Sequence, residues 1–204
     1  MTRPKTLFAM AGVEPAMSPL ETVAVVVIDM QMEYVDGMLA LPGAAPALAE
    51  AAHLLNWARN KGRPIIHIQH QGQAGGLFDP GGPGFAIAPA VAPMPGEPVL
   101  TKKLPNSFAG TELEAEIKQR NLRQVIFSGF MTHMCVSSTV RAALDRAIGA
   151  AVLASACATR DLPDVAGEVI PAAIVHRAEL AALADRFALI VPNMETLLKA
   201  CSRP

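Results

Sequence analysis

The chain has 204 residues, 17 Lys and Arg against 18 Asp and Glu, and 51% hydrophobic residues. This composition is typical of one folded globular domain, 1–204, and excludes a disordered or fibrous protein. A formal net charge of -1 gives no basic surface for phosphates, and no apolar run reaches membrane-spanning length, so we expect neither a nucleic acid nor a membrane as a partner.

The cysteines and the N-terminus indicate the compartment. Cys135, Cys157 and Cys201 are widely spaced and form no CxxC pair, so we expect reduced thiols rather than a disulfide framework or a structural zinc site. Residues 1–20 form a predicted N-terminal arm whose short apolar stretch is interrupted by Glu14 and Pro15. Because such a stretch makes a poor signal sequence, we expect a cytoplasmic protein.

Predicted strands and helices alternate along the chain. The segment 22–28 (TVAVVVI) is apolar at nearly every position, which is typical of a strand buried on both faces of a parallel sheet. The other predicted strands are 64–68, 99–101, 124–128, 151–154 and 188–191, and the predicted helices are 46–61, 111–120, 134–148, 171–186 and a short one after Pro192. This alternation predicts an α/β fold in which helices cover both faces of a mostly parallel sheet.

One segment interrupts the alternation. Residues 72–98 are rich in glycine and proline. A loop of this length in a compact domain is usually a lid, a binding loop or a contact between subunits. The sequence leaves these alternatives open.

Three kinds of reactive side chain follow predicted strands. Asp29 follows the first strand, Lys102 and Lys103 follow the segment 99–101, and Cys135 follows the strand 124–128 after a short turn. Taken singly, such residues are more often turn formers, solvated lysines or small buried hydrophobes. Because the carboxyl ends of parallel strands share one edge of the sheet, we expect the three to meet in one crevice.

These residue types have complementary chemistry. A carboxylate accepts a thiol proton, an ammonium stabilises both anions, and a thiolate attacks a carbonyl carbon. We also expect Cys135 to lie at or near a helix N-terminus, where backbone N–H groups and the helix dipole favour the thiolate. The set indicates nucleophilic catalysis by a cysteine.

At these residues the sequence resembles the isochorismatase-like cysteine hydrolases, which include isochorismatases, nicotinamidases, N-carbamoylsarcosine amidase and ureidoacrylate amidohydrolases. The matching motifs are Val25-Val26-Val27-Ile28-Asp29-Met30-Gln31, then Lys102 with Asn106-Ser107-Phe108-Ala109-Gly110-Thr111, then Gly129-Phe130-Met131-Thr132-His133-Met134-Cys135-Val136. The resemblance implies a three-layer, Rossmann-like αβα fold with a six-stranded parallel sheet.

The resemblance also implies a mechanism. Cys135 corresponds to the nucleophile and Asp29 to the general base and acid of the family's amidases, with a supporting lysine. The peptide bond between Phe130 and Met131 is expected to be cis, with the backbone N–H groups of Met131 and Cys135 in the oxyanion hole. The implied reaction cleaves a C–N bond of a small amide, carbamoyl or ureido compound through a thioester.

The lysine assignment has two candidates. The family's spacing before Phe108 favours Lys102, with Lys103 as the alternative, and strand alternation allows only one of them to face the crevice. No cofactor and no metal are expected, because the stretch after the second strand offers His67 and His70 but no Asp, and two histidines three residues apart on a strand face opposite sides.

The substrate is a small molecule that the sequence does not specify. Candidate pocket residues are Gln31, Tyr34, His70, Phe108, Phe130, Thr132 and His133. Two alternatives remain: enol-ether hydrolysis with Asp29 as the acid, and an inactive relative that binds or oligomerises. The mean hydropathy of +0.32 also predicts a homo-oligomer, either a dimer or a tetramer, that covers apolar surface.

Overall fold

The computed structural model describes residues 3–201 and contains one six-stranded sheet and one small hairpin. The sheet strands are β1 (Val23–Ile28), β2 (Ile65–His70), β3 (Val99–Lys102), β4 (Gln124–Phe130), β5 (Gly149–Ala158) and β8 (Leu189–Val191), and the hairpin pairs β6 (Leu162–Pro163) with β7 (Val169–Ile170). The strand order in the sheet is β3-β2-β1-β4-β5-β8, and all neighbours are parallel. The predicted six-stranded parallel sheet is confirmed.

Helices cover both faces of this sheet. The helices that cover the sheet are α2 (Ala44–Asn60), α3 (Leu113–Gln119), α4 (Ser137–Leu144), α5 (Ala172–Arg186) and α6 (Met194–Cys201), and the short helix α1 (Leu7–Met10) packs against α5. Buried residues of α2 and α6 pack in one hydrophobic cluster, and those of α3, α4 and α5 pack in a second cluster. The fold therefore has the three layers that the alternating pattern predicts.

The central strand β1 connects these two clusters. Val23, Val25 and Val27 point toward α2, whereas Ala24, Val26 and Ile28 point toward α3 and α4. All six side chains are buried, which explains why every position of this strand is apolar. The first charged side chain after it comes at the carboxyl edge of the sheet.

Some element boundaries differ from the prediction. The strand β5 extends to Ala158, beyond the predicted 151–154, and its pairing with β4 shifts between Phe127 and Gly129. The helix α4 ends at Leu144 instead of residue 148, because Ala147 adopts a left-handed φ of 56° and the Ile148 N–H bonds back to the Ala143 carbonyl. The hairpin β6–β7 was not predicted, since two-residue strands carry no periodicity.

The N-terminal arm packs along the domain. The Leu7 N–H donates to Asp185 Oδ1 at 2.8 Å, and the Ser18 N–H donates to Gln124 Oε1 at 2.7 Å. The arm thus runs from α5 to the start of β4. Within residues 3–201, no helix combines the length and apolar character needed to cross a bilayer.

The glycine- and proline-rich segment 72–98 is fixed at several points. Ile87 pairs with Gln31 in an isolated antiparallel bridge. Near the end of the segment, the Glu97 carboxylate accepts hydrogen bonds from Arg59 Nε at 2.8 Å and bonds His67 Nε2 at 2.9 Å. The segment therefore packs across the carboxyl ends of β1 and β2, where the predicted reactive residues lie.

Candidate active site

The structure brings Asp29, Lys102 and Cys135 together. Lys102 Nζ lies 2.6 Å from Asp29 Oδ2 and 3.3 Å from Cys135 Sγ. The Asp29 and Lys102 side chains have no exposed area, and Cys135 is 5% exposed. Lys103 is exposed, as strand alternation requires of one of the two lysines. The three groups thus form one closed cluster, with Lys102 as its amine.

Asp29 lies where the connections of the sheet change direction. The strands after β1 continue toward β2 on one side, whereas β4 flanks β1 on the other, and ligands of such sheets bind at this switch point. The Asp29 backbone has a left-handed φ of 51°, and its N–H donates to the Ile68 carbonyl at 2.9 Å. This conformation, which is uncommon for a residue with a Cβ, holds the carboxylate at the sheet edge.

The close approach of β1 and β4 requires a glycine. Gly129 has a φ of 134°, and a Cβ at this position would lie 2.0 Å from the Ile28 carbonyl oxygen. Neither the conformation nor the space admits a side chain. Gly129 therefore allows the end of β4 to lie against the residue that precedes Asp29.

Cys135 lies on an irregular turn. The peptide bond between Phe130 and Met131 is cis, and residues 132–136 form a π-helical turn ahead of α4. Thr139 Oγ1 donates to the Cys135 carbonyl at 2.7 Å and accepts from the Ser107 N–H at 3.0 Å. This hydroxyl connects the turn that carries Cys135 with the loop that follows Lys102, which explains why both segments belong to the matching motifs.

The electrostatics of the cluster correct one expectation. Burial raises the pKa of Asp29 to about 6, although the Lys102 ammonium beside it acts in the opposite direction. Burial and the Asp29 charge raise the pKa of Cys135 to about 12, against the lowering effect of Lys102. Cys135 lies two residues before α4, as expected, but burial and the Asp29 charge outweigh any effect of the helix N-terminus, so the pKa of the thiol is raised instead of lowered. At neutral pH the cluster holds a neutral thiol beside a carboxylate.

Several predicted pocket residues support the site through hydrogen bonds and packing. Gln31 is fully buried, and its amide bonds the backbone of His70 and the Phe85 carbonyl. Phe108 is buried in the cluster on the α3 and α4 face, with the Arg146 guanidinium 4.8 Å from its ring centre. In the structure the polar groups of Gln31 and the ring of Phe108 are thus used in hydrogen bonding and packing, and a pocket-lining role for these two residues stays a prediction.

Tyr34 and Phe130 also lie in the core. The Tyr34 ring packs edge-on against Phe130, with 5.7 Å between ring centres, and both residues are buried in the cluster under α2. Burial, with a smaller contribution from the charges of Cys135 and Asp29, raises the pKa of Tyr34 above its ordinary value. The two rings therefore form a wall behind the cluster.

The two polar residues of the turn bond to the strand β5 and the helix α5. Thr132 Oγ1 donates to the Ala158 carbonyl at 3.1 Å and contacts His176 Nδ1 at 2.9 Å. His133 Nδ1 bonds to Thr159 Oγ1. Both residues thus position the turn within the fold. His70 lines a cavity of about 580 Å³ and also contacts Lys102 Nζ at 3.2 Å, so it connects this cavity with the cluster.

Sequence reasoning did not single out Phe78 or His176. Phe78 is buried, has a left-handed φ of 56°, and packs edge-on against Tyr34 at 5.0 Å and His70 at 5.1 Å. Nothing in the sequence distinguishes it from other apolar residues of the segment 72–98. His176 lies in the N-terminal part of α5, 44 residues from its partner Thr132, and no spacing rule connects the two.

The described part of the chain contains no group of three or more His, Cys, Asp or Glu side chains arranged to hold a metal ion. His67 and His70 diverge as alternation predicts: His67 bonds Glu97, and His70 contacts Lys102 Nζ at 3.2 Å.

Comparison with known proteins identifies the family. The isochorismatase domain model matches residues 23–201. An isochorismatase from Pseudomonas putida KT2440 superposes with a TM-score of 0.90 at 41% identity, over 95% of this chain and 99% of that one. Streptothricin hydrolase of Streptomyces noursei is 31% identical over 93% of this chain and 75% of its own length. The ureidoacrylate amidohydrolase RutB of Stutzerimonas stutzeri is 27% identical over 63% of this chain and 66% of its own length.

The matched region spans all six strands of the sheet as well as Asp29, Lys102 and Cys135. The chain belongs to the isochorismatase family and is an isochorismatase-like hydrolase.

Proposed function

We propose that the protein is a cysteine hydrolase that cleaves a C–N bond of a small amide, carbamoyl or ureido compound through a thioester. The observation that carries this proposal is the closed contact of the Lys102 ammonium with both the Asp29 carboxylate and the Cys135 thiol. A thiol and a carboxylate that contact the same ammonium group meet the geometric requirement for nucleophilic catalysis.

The first step forms the thioester. Asp29 takes the thiol proton as Cys135 Sγ attacks the carbonyl carbon, and Lys102 stabilises the anions that this transfer involves. The backbone N–H groups of Met131 and Cys135 then donate to the oxyanion of the tetrahedral intermediate. When this intermediate collapses, Asp29 returns the proton to the leaving nitrogen, the C–N bond breaks, and the acyl group remains on sulfur.

The second step releases the product. Asp29, again a carboxylate, takes a proton from a water molecule that attacks the thioester carbon. The C–S bond breaks, the acid is released, and the proton returns to Cys135. The cycle consumes one amide and one water and yields one acid and one amine or ammonia.

The protonation states support this division of roles. An Asp29 pKa of about 6 is close to neutrality, where one carboxyl group serves efficiently as base and then as acid. The raised pKa of Cys135, which burial and the Asp29 charge cause, means that the resting site holds a neutral thiol whose proton Asp29 must take. A buried, uncharged thiol also resists adventitious oxidation.

The relatives support the reaction class. Streptothricin hydrolase is named as a hydrolase and RutB as an amidohydrolase. We infer from these names and from the cluster that the substrate of this chain carries an amide-type C–N bond.

The test is a screen of primary amides, carbamoyl compounds and ureido acids for released ammonia, with wild type, Cys135→Ala and Cys201→Ala. Cys201 is a matched control, since it is a free cysteine on α6 and outside the cluster. The proposal predicts turnover in wild type and Cys201→Ala and none in Cys135→Ala. In a separate assay with an isochorismate-like enol ether, turnover by Cys135→Ala would favour the enol-ether reaction. Inactivity of wild type toward the amide panel and toward the enol ether would favour the inactive relative.

We also propose that the protein is a homo-oligomer. Val165 and Val169 of the β6–β7 hairpin and Ile174 of α5 are exposed apolar side chains close together along the chain, the first of them completely exposed. Such a patch is often covered by another subunit. Light scattering coupled to gel filtration should give a multiple of 21.4 kDa; a particle of 21.4 kDa would contradict this proposal.

A further inference from the structure

The Lys102 ammonium has a third contact that the mechanism above does not use. Its Nζ lies 3.2 Å from His70 Nδ1, in addition to its contacts with Asp29 and Cys135. An ammonium group has three hydrogens and no lone pair, so Lys102 can only donate in its contact with the imidazole nitrogen. His70 Nδ1 must therefore be the acceptor of its contact.

We propose that His70 is a two-sided positioning and binding residue: Nδ1 accepts the third Lys102 hydrogen, and the Nε2–H group donates to an acceptor oxygen of the substrate. The tautomer follows from the Lys102 contact. A nitrogen that accepts a hydrogen bond carries no hydrogen, so in a neutral imidazole whose Nδ1 accepts, the ring hydrogen is on Nε2. The substrate contact rests on the proposed hydrolase function.

The backbone of His70 is fixed, so that its ring has little freedom. Gln31 Oε1 accepts from the His70 N–H at 2.8 Å, and Gln31 Nε2 donates to the His70 carbonyl at 3.0 Å. The Phe78 ring packs edge-on against the imidazole at 5.1 Å. Gln31 lies two residues after Asp29. Its two hydrogen bonds to the His70 backbone therefore join the end of β1 to the histidine that contacts Lys102.

The surroundings also keep the imidazole neutral. Burial and the neighbouring Lys102 ammonium lower the pKa of His70 to about 4. The cavity beside His70 contains two further charged groups, Asp79 and Lys103. Asp79 already accepts from the Gly75 and Gly81 N–H groups, each at 2.8 Å. Among the residues that the structure describes, no hydrogen bond or ion pair joins the His70 ring to Asp79 or to Asp29, so no carboxylate holds a second proton on the ring.

The cavity suggests what the Nε2–H group meets. It has a volume of about 580 Å³ and is lined by His70 and Lys103 together with the start of the segment 72–98. The ring donor and the Lys103 ammonium both favour an oxygen acceptor. The substrate class that fits is a small amide or ureido compound bearing a second carbonyl or carboxylate group beside the scissile bond.

The tautomer is tested directly by nitrogen NMR of the imidazole rings at pH 7, with the His70 signals assigned by their loss in His70→Asn. The proposal predicts a neutral His70 ring with its hydrogen on Nε2. A ring protonated on Nδ1, or on both nitrogens, overturns the Lys102 contact. This measurement needs no substrate, so its result stands whether or not the proposed hydrolysis is found.

Three variants separate the two sides of the ring in the wild-type background. His70→Asn keeps an acceptor near the position of Nδ1 and loses the outer donor, so KM should rise about tenfold while kcat changes much less. His70→Gln keeps a donor near Nε2 and loses the inner acceptor, so kcat should fall about tenfold and the pH profile of kcat should change. His70→Leu should show both losses.

His53→Leu is the matched control, because His53 is an exposed histidine on α2. Equal losses in His70→Asn, His70→Gln and His70→Leu with an unchanged pH profile would mean that His70 has only a structural role. Wild-type kinetics in His70→Leu would likewise overturn the proposal.

Discussion

Lys102 Nζ lies 2.6 Å from Asp29 Oδ2, and neither side chain exposes any area to solvent. A buried ion pair contributes little net stability compared with apolar residues of the same size, whereas breaking it leaves an unpaired buried charge. The pair therefore couples the stability of the fold to the site that we propose to be catalytic.

The first prediction concerns this coupling. Lys102→Met should destabilise the protein by about 3 kcal/mol, because it leaves the buried Asp29 carboxylate without its cation. Asp29→Asn should change the stability much less, since burial already disfavours the Asp29 charge, and the double variant should be considerably more stable than the sum of the two single changes predicts. Urea unfolding at pH 7 of the wild type and the three variants measures this. Additive losses would mean that the two charges do not compensate each other in the folded protein.

The second prediction concerns pH. If Asp29 must be ionised to accept the thiol proton, kcat/KM should rise with pH through an apparent pKa of about 6. A pH profile between pH 4 and 8 with the amide found in the screen measures this limb. A limb near the ordinary value of 3.8 would show that burial does not shift Asp29 in this way.

The free energy of unfolding should change with pH in the opposite direction to kcat/KM, which gives an independent check of the Asp29 pKa. A raised pKa means that the folded protein binds the Asp29 proton more tightly than the unfolded chain. The contribution of this group is thus fully present below about pH 3.8 and lost as the pH rises through about 6. The stability of wild type relative to Asp29→Asn should therefore increase by on the order of 2 to 3 kcal/mol between pH 6.5 and pH 4.

The third prediction distinguishes the two lysines. Lys102→Met should lower kcat by at least about a hundredfold, because it removes the cation that contacts both proposed reacting groups. Lys103→Met should change KM by about tenfold at most, since Lys103 lines the cavity and does not contact the cluster. Steady-state kinetics of both variants decide the assignment, and the reverse order of effects would assign the role to Lys103.

Much of this arrangement is predictable from the sequence. The uniformly apolar β1 predicts a strand buried on both faces of a parallel sheet. Because the carboxyl ends of parallel strands share one edge, Asp29, Lys102 and Cys135 are then expected at that edge. Strand alternation implies that one lysine faces the crevice, and the structure shows which.

Other features depend on contacts that no local pattern encodes. The early end of α4 depends on the left-handed backbone of Ala147, a conformation that alanine rarely adopts. The packing of the His70 ring depends on Phe78, which contacts it edge-on. The neutral state of the Cys135 thiol results from the balance of burial, Asp29 and Lys102. Such a balance becomes visible only when distances and burial are known.

The fourth prediction concerns the approach of β4 to β1. Gly129→Ala places a Cβ 2.0 Å from the Ile28 carbonyl oxygen, so we expect a loss of several kcal/mol, comparable with the most damaging single substitutions. Gly76→Ala is the control, because its Cβ would make an ordinary contact of 3.5 Å. Thermal unfolding should show a large decrease in Tm for Gly129→Ala only. Similar Tm values for both variants would contradict the close packing at Gly129.

The fifth and central prediction is the covalent intermediate. Wild-type protein mixed with the best amide from the screen and quenched in acid at early times should carry an acyl group on the peptide that contains Cys135. Peptide mass spectrometry locates the added mass, and Cys135→Ala should show neither the adduct nor turnover. Turnover in Cys135→Ala, or an acyl group found on another residue while Cys135 stays unmodified, would contradict the assignment of Cys135 as the nucleophile.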